Sequence, residues 1–163
     1  MSSDEKALRL GHIGENIVAN WYSSQGYRIK LSLDPYDSIK DLMIGNMQVE
    51  VKTQQPYVKM GALTFRPNQL PKCSNPNTLL CFVTATAEYD PKYKWNNCLF
   101  EVDHNFKTTS YTTSYGIKMI AVPIEQEAVR FIKKLDDEEI YVLSKYTQSN
   151  YVDGHKVNYA RTI

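Results

Sequence analysis

Three stretches of the chain predict an α/β fold with a mixed central β-sheet flanked by helices. Residues from about Asp4 to Gln25 carry apolar side chains at helical spacing and stop at Gly26. Two short apolar runs, at 42–44 and 47–51, meet at Gly45-Asn46, a pair that signals a two-residue β-hairpin because primed turns need residues tolerant of φ > 0. Thr78-Leu-Leu-Cys-Phe-Val-Thr-Ala85 is a continuous apolar run of strand length, as a central strand covered on both sides requires.

Composition bounds the rest. A chain of 163 residues suits one domain, 1–163, with a sizeable core. Hydrophobic content of 42% and charged content of 23% are those of an ordinary globular protein and argue against a disordered or fibrous one. Net charge of +1 favours no class of partner, but from Val51 to Ala87 there are Lys52, Lys59, Arg66 and Lys72 and no acidic residue. That local bias suits an anionic polymer. No run approaches the ~18 apolar residues of a membrane span, and the N-terminus lacks a signal-peptide pattern. Cys73, Cys81 and Cys98 form no C-x-x-C. The expectation is a cytoplasmic protein with reduced thiols, no zinc site and no membrane partner.

Taken in order, the first helix presents Leu10, Ile13, Ile17 and Trp21 as one stripe, with Ser3 or Asp4 as the cap. Gly11 and Gly14 each lower helix propensity by about 1 kcal/mol, a penalty that close packing would offset. Glu15 neighbours Gly11, Val18, Ala19 and Tyr22 on the helix surface, at the margin of the buried stripe. Tyr27 to Leu33 alternates apolar and polar residues, as a half-buried strand does. Residues 34–38 form a turn containing Asp37 and Ser38. Beyond the hairpin, Thr53-Gln-Gln-Pro56 extends the strand and breaks it. Pro67 and Pro71 exclude a long helix and leave a short one starting near Pro67. Tyr89 to Asn97 mixes aromatic rings and lysines in a loop, suited equally to stacking on bases and to covering a core. Cys98–Val102 and Ile117–Ile124 are predicted strands. The tandem Thr-Thr-Ser-Tyr of 108–115 predicts a hydroxyl-rich loop. Glu125–Leu135 predicts an amphipathic helix with acids early and Lys133 and Lys134 late, and Ile140–Tyr146 a last strand or the start of an extended arm.

The hairpin carries the chemistry. If Gly45 and Asn46 are its two loop residues, Met43 faces Gln48, Leu42 faces Val49 and Asp41 faces Glu50. Leu42, Ile44, Met47, Val49 and Val51 then share one face, and Asp41, Gln48, Glu50, Lys52 and Gln54 the other. Directly opposed residues hold their Cβ atoms roughly 4.5–5.5 Å apart, so the two carboxylates repel unless a cation lies between them. A hard divalent ion takes oxygen ligands of this kind. A three-residue loop would send Asp41 to the wrong face, and Asp37 is its rival for the same role.

Asp41 followed on the neighbouring strand by Glu50-Val51-Lys52 resembles the signature of the PD-(D/E)xK nuclease superfamily. The resemblance covers about residues 1–85 and implies a restriction-endonuclease-like core. It implies Mg²⁺, with Mn²⁺ as a substitute, held by Asp41, Glu50, the Val51 carbonyl and Glu15 from a helical Gly-x-x-Gly-Glu. It also implies Asp41, Glu50, Lys52 and Glu15 as the catalytic set for phosphodiester hydrolysis. Double-stranded or branched DNA is then the partner. The decorated C-terminal half favours a site-specific enzyme of homing or restriction type over a Holliday junction resolvase. Cutting both strands calls for a homodimer or higher homo-oligomer. Ser38, Gln54, Arg66, Gln69, Lys92 and Lys94 carry groups suited to phosphates or base edges. The rival from another class is a non-catalytic nucleic-acid-binding domain.

Overall fold

Helix α1 (Ser3–Ser24) starts one residue earlier than its sequence suggests, because the Ser2 hydroxyl accepts the Glu5 N–H at 3.2 Å. It ends where Gly26 adopts φ +91°. The computed structural model describes residues 2–31 and 42–147, together with short backbone stretches at 151–152 and 155–156. The expected strand from Tyr27 is described as β1 (Ile29–Leu31). Next come β2 (Leu42–Ile44) and β3 (Met47–Gln54), paired Met43↔Gln48 and Ile44↔Met47, which makes Gly45-Asn46 a two-residue loop as expected. Gly45 has φ +60°, a conformation that glycine adopts without a steric penalty.

Past a break at Pro56, β4 (Ala62–Phe65) is a strand that the polar, proline-flanked sequence did not announce. The short helix near Pro67 is a 3-10 turn over Pro67–Gln69 running into α2 (Leu70–Cys73). Strand β5 (Thr78–Thr84) then lies parallel to β3, with Glu50 opposite Leu80 and Lys52 opposite Phe82. Strand β6 (Cys98–Val102) pairs antiparallel with β5.

Three expectations for the second half are corrected. The Thr-Thr-Ser-Tyr repeat contributes an edge strand, β7 (Thr109–Thr112), paired with β8 (Lys118–Pro123), because its threonines suit a pleated surface. The helix expected over Glu125–Leu135 is instead strand β9 (Val129–Lys134), antiparallel to β6. Strand alternation sends Val129 into one core and Ile132, three residues on, against the other, and the pairing with β6 shifts register between Leu99 and Phe100. A strand that packs on both faces thus shows a helix-like three-residue spacing. The strand expected over Ile140–Tyr146 is α3 (Asp137–Ser144), held by a capping box in which Asp136 accepts from Glu139 N at 2.8 Å and Glu139 Oε1 accepts from Asp136 N at 2.9 Å. The tail contributes a small ribbon, β10 (Tyr151–Val152) with β11 (His155–Lys156).

The fold is therefore α/β, with a mixed six-stranded sheet ordered β1-β2-β3-β5-β6-β9 and a three-stranded antiparallel sheet ordered β4-β8-β7. Helices α1 and α3 cover one face of the large sheet through Ile17, Val18, Leu42, Val49, Cys81, Val83, Leu99 and Leu143. Leu63, Phe65, Leu80, Phe82, Phe100, Ile120 and Val122 form a second core between the large sheet and the small one. Among the described residues no helix is long and apolar enough to cross a membrane.

Candidate active site

Position 14 brings helix and strand together. A Cβ on Gly14 would overlap Thr53 Oγ1 and sit 3.0 Å from Thr53 Cβ and 3.2 Å from its Cγ2. The helix therefore lies against β3 as closely as a missing side chain permits, as the low-propensity glycine predicted. This contact aims the next residue, Glu15, along β3. A cleft of about 190 Å³ opens there, lined by Ala7, Leu8, Gly11, His12 and Glu15 from α1 and by Val49, Glu50 and Val51 from β3. Three of the expected site residues, Glu15, Glu50 and Val51, thus share one cavity.

Glu50 is nearly buried, and both of its carboxylate oxygens are engaged. Oε1 lies 2.8 Å from Lys52 Nζ and Oε2 3.0 Å from Lys72 Nζ. Strand alternation puts Lys52 on the side of Glu50, as the hairpin reading required. Lys52 Nζ also donates to Gln69 Oε1 at 2.7 Å, so its ammonium is fixed from two sides. Lys72 arrives from α2 and belongs to the acid-free basic stretch, but nothing in the sequence pointed it at Glu50. Cys73, the next residue, is fully buried below this cluster. Burial pushes its thiol up to about 11, opposed by Lys52 and Lys72 and reinforced by Glu50.

His12 is the second residue that sequence reasoning missed. Its Nδ1 lies 3.5 Å from Glu15 Oε1, and its Nε2 is a buried atom with no hydrogen-bond partner among the described residues. The available signal was helical spacing, His-x-x-Glu, which places the two side chains on one face.

The remaining expected residues divide by what they touch. Gln54 shares the face of Glu50 and Lys52, and its amide clips β4: Nε2 donates to Thr64 O at 2.7 Å and Oε1 accepts from Thr64 N at 2.8 Å. Arg66 and Lys92 are exposed. Lys94 pairs with Glu125 at 2.9 Å and stands 5.0 Å from the Trp95 ring centroid. Trp95 packs edge-on to Phe100 at 5.5 Å, so this ring of the aromatic loop covers the core. Asp41, its rival Asp37, and Ser38 lie outside the described residues.

Glu15 and Glu50 put two carboxylates on one cleft, oxygen donors of the kind that a hard divalent cation takes, and in that respect the residues fit Mg²⁺. Among the described residues no group of three or more His, Cys, Asp or Glu side chains is close enough to hold a metal. Compared with protein-family models, with curated proteins and with solved structures, the chain matches none.

Proposed function

We propose that the protein is a Mg²⁺-dependent endonuclease of PD-(D/E)xK type that hydrolyses phosphodiester bonds in double-stranded DNA at specific sites. The observation that carries this reading is the meeting of Glu15, Glu50 and Val51 on one cleft with Lys52 bonded to Glu50. The element order supports it: a helix, a strand, a hairpin carrying the motif, a short helix and a strand parallel to the motif strand. Strand β4, inserted between the motif and α2, is a decoration on that restriction-endonuclease-like order.

In this reading Glu50, Glu15, the Val51 carbonyl and Asp41 hold the cation, for which Mn²⁺ substitutes. Bound there, it supplies positive charge to the phosphate and lowers the pKa of an attacking water. Lys52, its ammonium steadied by Gln69, orients that water and neutralises the phosphate. Arg66, Lys92 and Lys94, with Ser38, Gln54 and Gln69, are the candidate donors to DNA. A homodimer brings two such sites to opposite strands.

A second reading has its own observation. Both Glu50 oxygens already hold a lysine, as in a structural ion pair of a non-catalytic nucleic-acid-binding domain. The test incubates plasmid and a four-way junction with the protein, with and without Mg²⁺, beside the Glu50→Gln and Lys52→Met variants. Mg²⁺-dependent plasmid cutting, lost in both folded variants, is expected. Junction-selective cutting would identify a resolvase. Undiminished cutting by a folded variant removes that residue from the mechanism, and binding without cutting across varied sequences favours the non-catalytic domain.

A further inference from the structure

We infer that β7 is the surface on which two copies of this chain pair edge to edge, joining their three-stranded sheets into one of six strands. Taking a second copy as the occupant rests on the homodimer of the proposed function, while the open edge is read from the backbone alone. An edge strand turns the N–H and C=O of alternate residues away from its sheet, where they are a template for another strand. The small sheet has two edges, β4 and β7. On β4, Ile124 N donates to Gly61 O at 2.9 Å, so alternation turns Leu63 and Phe65 to β8 and Ala62 and Thr64 outward. Both outward residues have their N–H and C=O closed. Tyr57 N donates to Ala62 O at 2.8 Å and Ala62 N to Tyr57 O at 3.1 Å, and the Gln54 amide takes both groups of Thr64. On β7, Thr113 N donates to Ile117 O at 2.8 Å, so Thr109 and Tyr111 turn to β8 and Ser110 and Thr112 outward. Both are exposed, and among the described residues nothing outside the sheet bonds to either. Strand β9, an edge of the large sheet, is guarded differently, by Arg130, Lys133, Lys134 and a register irregularity. Strand β7 carries no charge.

Antiparallel pairing sets outward residues against outward residues. A two-fold axis beside Tyr111 therefore puts Ser110 opposite the partner's Thr112, and Thr112 opposite the partner's Ser110, closing the open groups by N–H···O bonds. Tyr111 then meets its own copy. Because it already packs on Tyr57 at 4.8 Å between ring centroids, the contact grows into a row of tyrosines. Aromatic cross-strand pairs stabilise, and no like charges are opposed. The interface is isologous, as a C2 dimer requires.

The test is sedimentation of the full chain across a dilution series, with circular dichroism to check each fold. The wild type is expected as a dimer that dissociates on dilution. Ser110→Pro deletes an outward donor that its own sheet does not use, and should weaken dimerisation about tenfold or more. Ser110→Lys with Thr112→Lys keeps every backbone group, opposes lysines across the axis and should be monomeric; it stands in for the proline variant should that one not fold. Ser110→Lys with Thr112→Glu sets lysine against glutamate in the same register and should return the dimer. A wild type that stays monomeric overturns the inference and leaves the edge to an extended strand of another protein. So does a dimer as tight in Ser110→Pro and the double-lysine variant as in the wild type, or a lysine–glutamate variant no tighter than the double-lysine one. Mg²⁺-dependent plasmid cutting is read on the same samples. A β7 dimer that cuts nothing sinks the proposed function and leaves the surface, and a cutting protein whose dimer ignores these substitutions sinks the surface alone.

Discussion

Gly14→Ala puts the seating of α1 on β3 to a direct test. Helix propensity alone predicts a gain of about 1 kcal/mol. The structure predicts a loss, because the added methyl overlaps Thr53 Oγ1 and leaves two further carbons of that side chain within 3.2 Å. Thr53 is β-branched on a strand, so its χ1 has little freedom to swing clear. Overpacking of this kind costs about 1–3 kcal/mol. Taking the upper end for an outright overlap and subtracting the propensity gain leaves a net loss of about 2 kcal/mol. Thr53→Ala removes Oγ1 and Cγ2, and Oγ1 is itself a buried atom with no hydrogen-bond partner among the described residues. Losing that unsatisfied hydroxyl offsets the lost methyl, so Thr53→Ala alone should be close to neutral. In the double variant the shortest overlaps vanish, and stability should return to within about 1 kcal/mol of wild type, a coupling of about 1 kcal/mol or more. Urea unfolding of the four proteins, with slopes compared, gives the cycle. A Gly14→Ala protein more stable than wild type, or single-variant effects that simply add, would refute the close approach. Because Glu15 follows Gly14, the same cycle should show cleavage falling with Gly14→Ala and recovering in the double variant.

Two further predictions concern the rest of the fold. Burial raises the Cys73 thiol from 9.0 to about 11, and Cys81 and Tyr22 shift upward as well, each chiefly through burial. A group whose folded pKa is raised adds stability below its unfolded pKa and loses it as pH climbs to the folded value, so stability should fall from pH 9 upward. Cys73 accounts for about 2–3 kcal/mol of that loss between pH 9 and 11. Denaturant unfolding across this range should show a shallower fall in Cys73→Ala, and an equal slope would remove Cys73 as a contributor. In the loop before β6, buried Asn96 accepts from Ala87 N at 2.9 Å and donates to Asp90 O and Pro91 O at 3.0 and 3.1 Å. Asn96→Ala should cost about 3 kcal/mol in thermal unfolding, since three backbone groups lose their partner, and a loss under about 1 kcal/mol would show that the loop stands without it.

What the sequence made legible was local. The α1 stripe, the Gly45-Asn46 turn and the β5 run each declare themselves within a dozen residues, and periodicity places Glu50 and Lys52 on one strand face and Glu15 at the margin of the helix stripe. Strand β9 was misread because Val129, Ile132 and Leu135 recur every three residues, a spacing that a strand shows when Val129 packs on one face and Ile132 on the other. Helix α3 carries its own signal, the capping-box spacing Asp136-x-x-Glu139, which lies just before the 140–146 stretch expected as a strand or arm. Lys72 meets Glu50 through tertiary packing, from a single-turn helix, and no local pattern announces that meeting, whereas His12 stands beside Glu15 by the helical spacing His-x-x-Glu alone.

Strand β5 has a consequence for how the molecule comes apart. Its alternate residues feed opposite layers: Leu80 and Phe82 fill the space under the small sheet, while Cys81 and Val83 meet α1. Strand β6 does the same with Phe100 on one side and Leu99 on the other. The two layers therefore share a wall, and neither can lose its contents without baring the back of the other. A molecule built as two stacked compartments should accordingly melt as one.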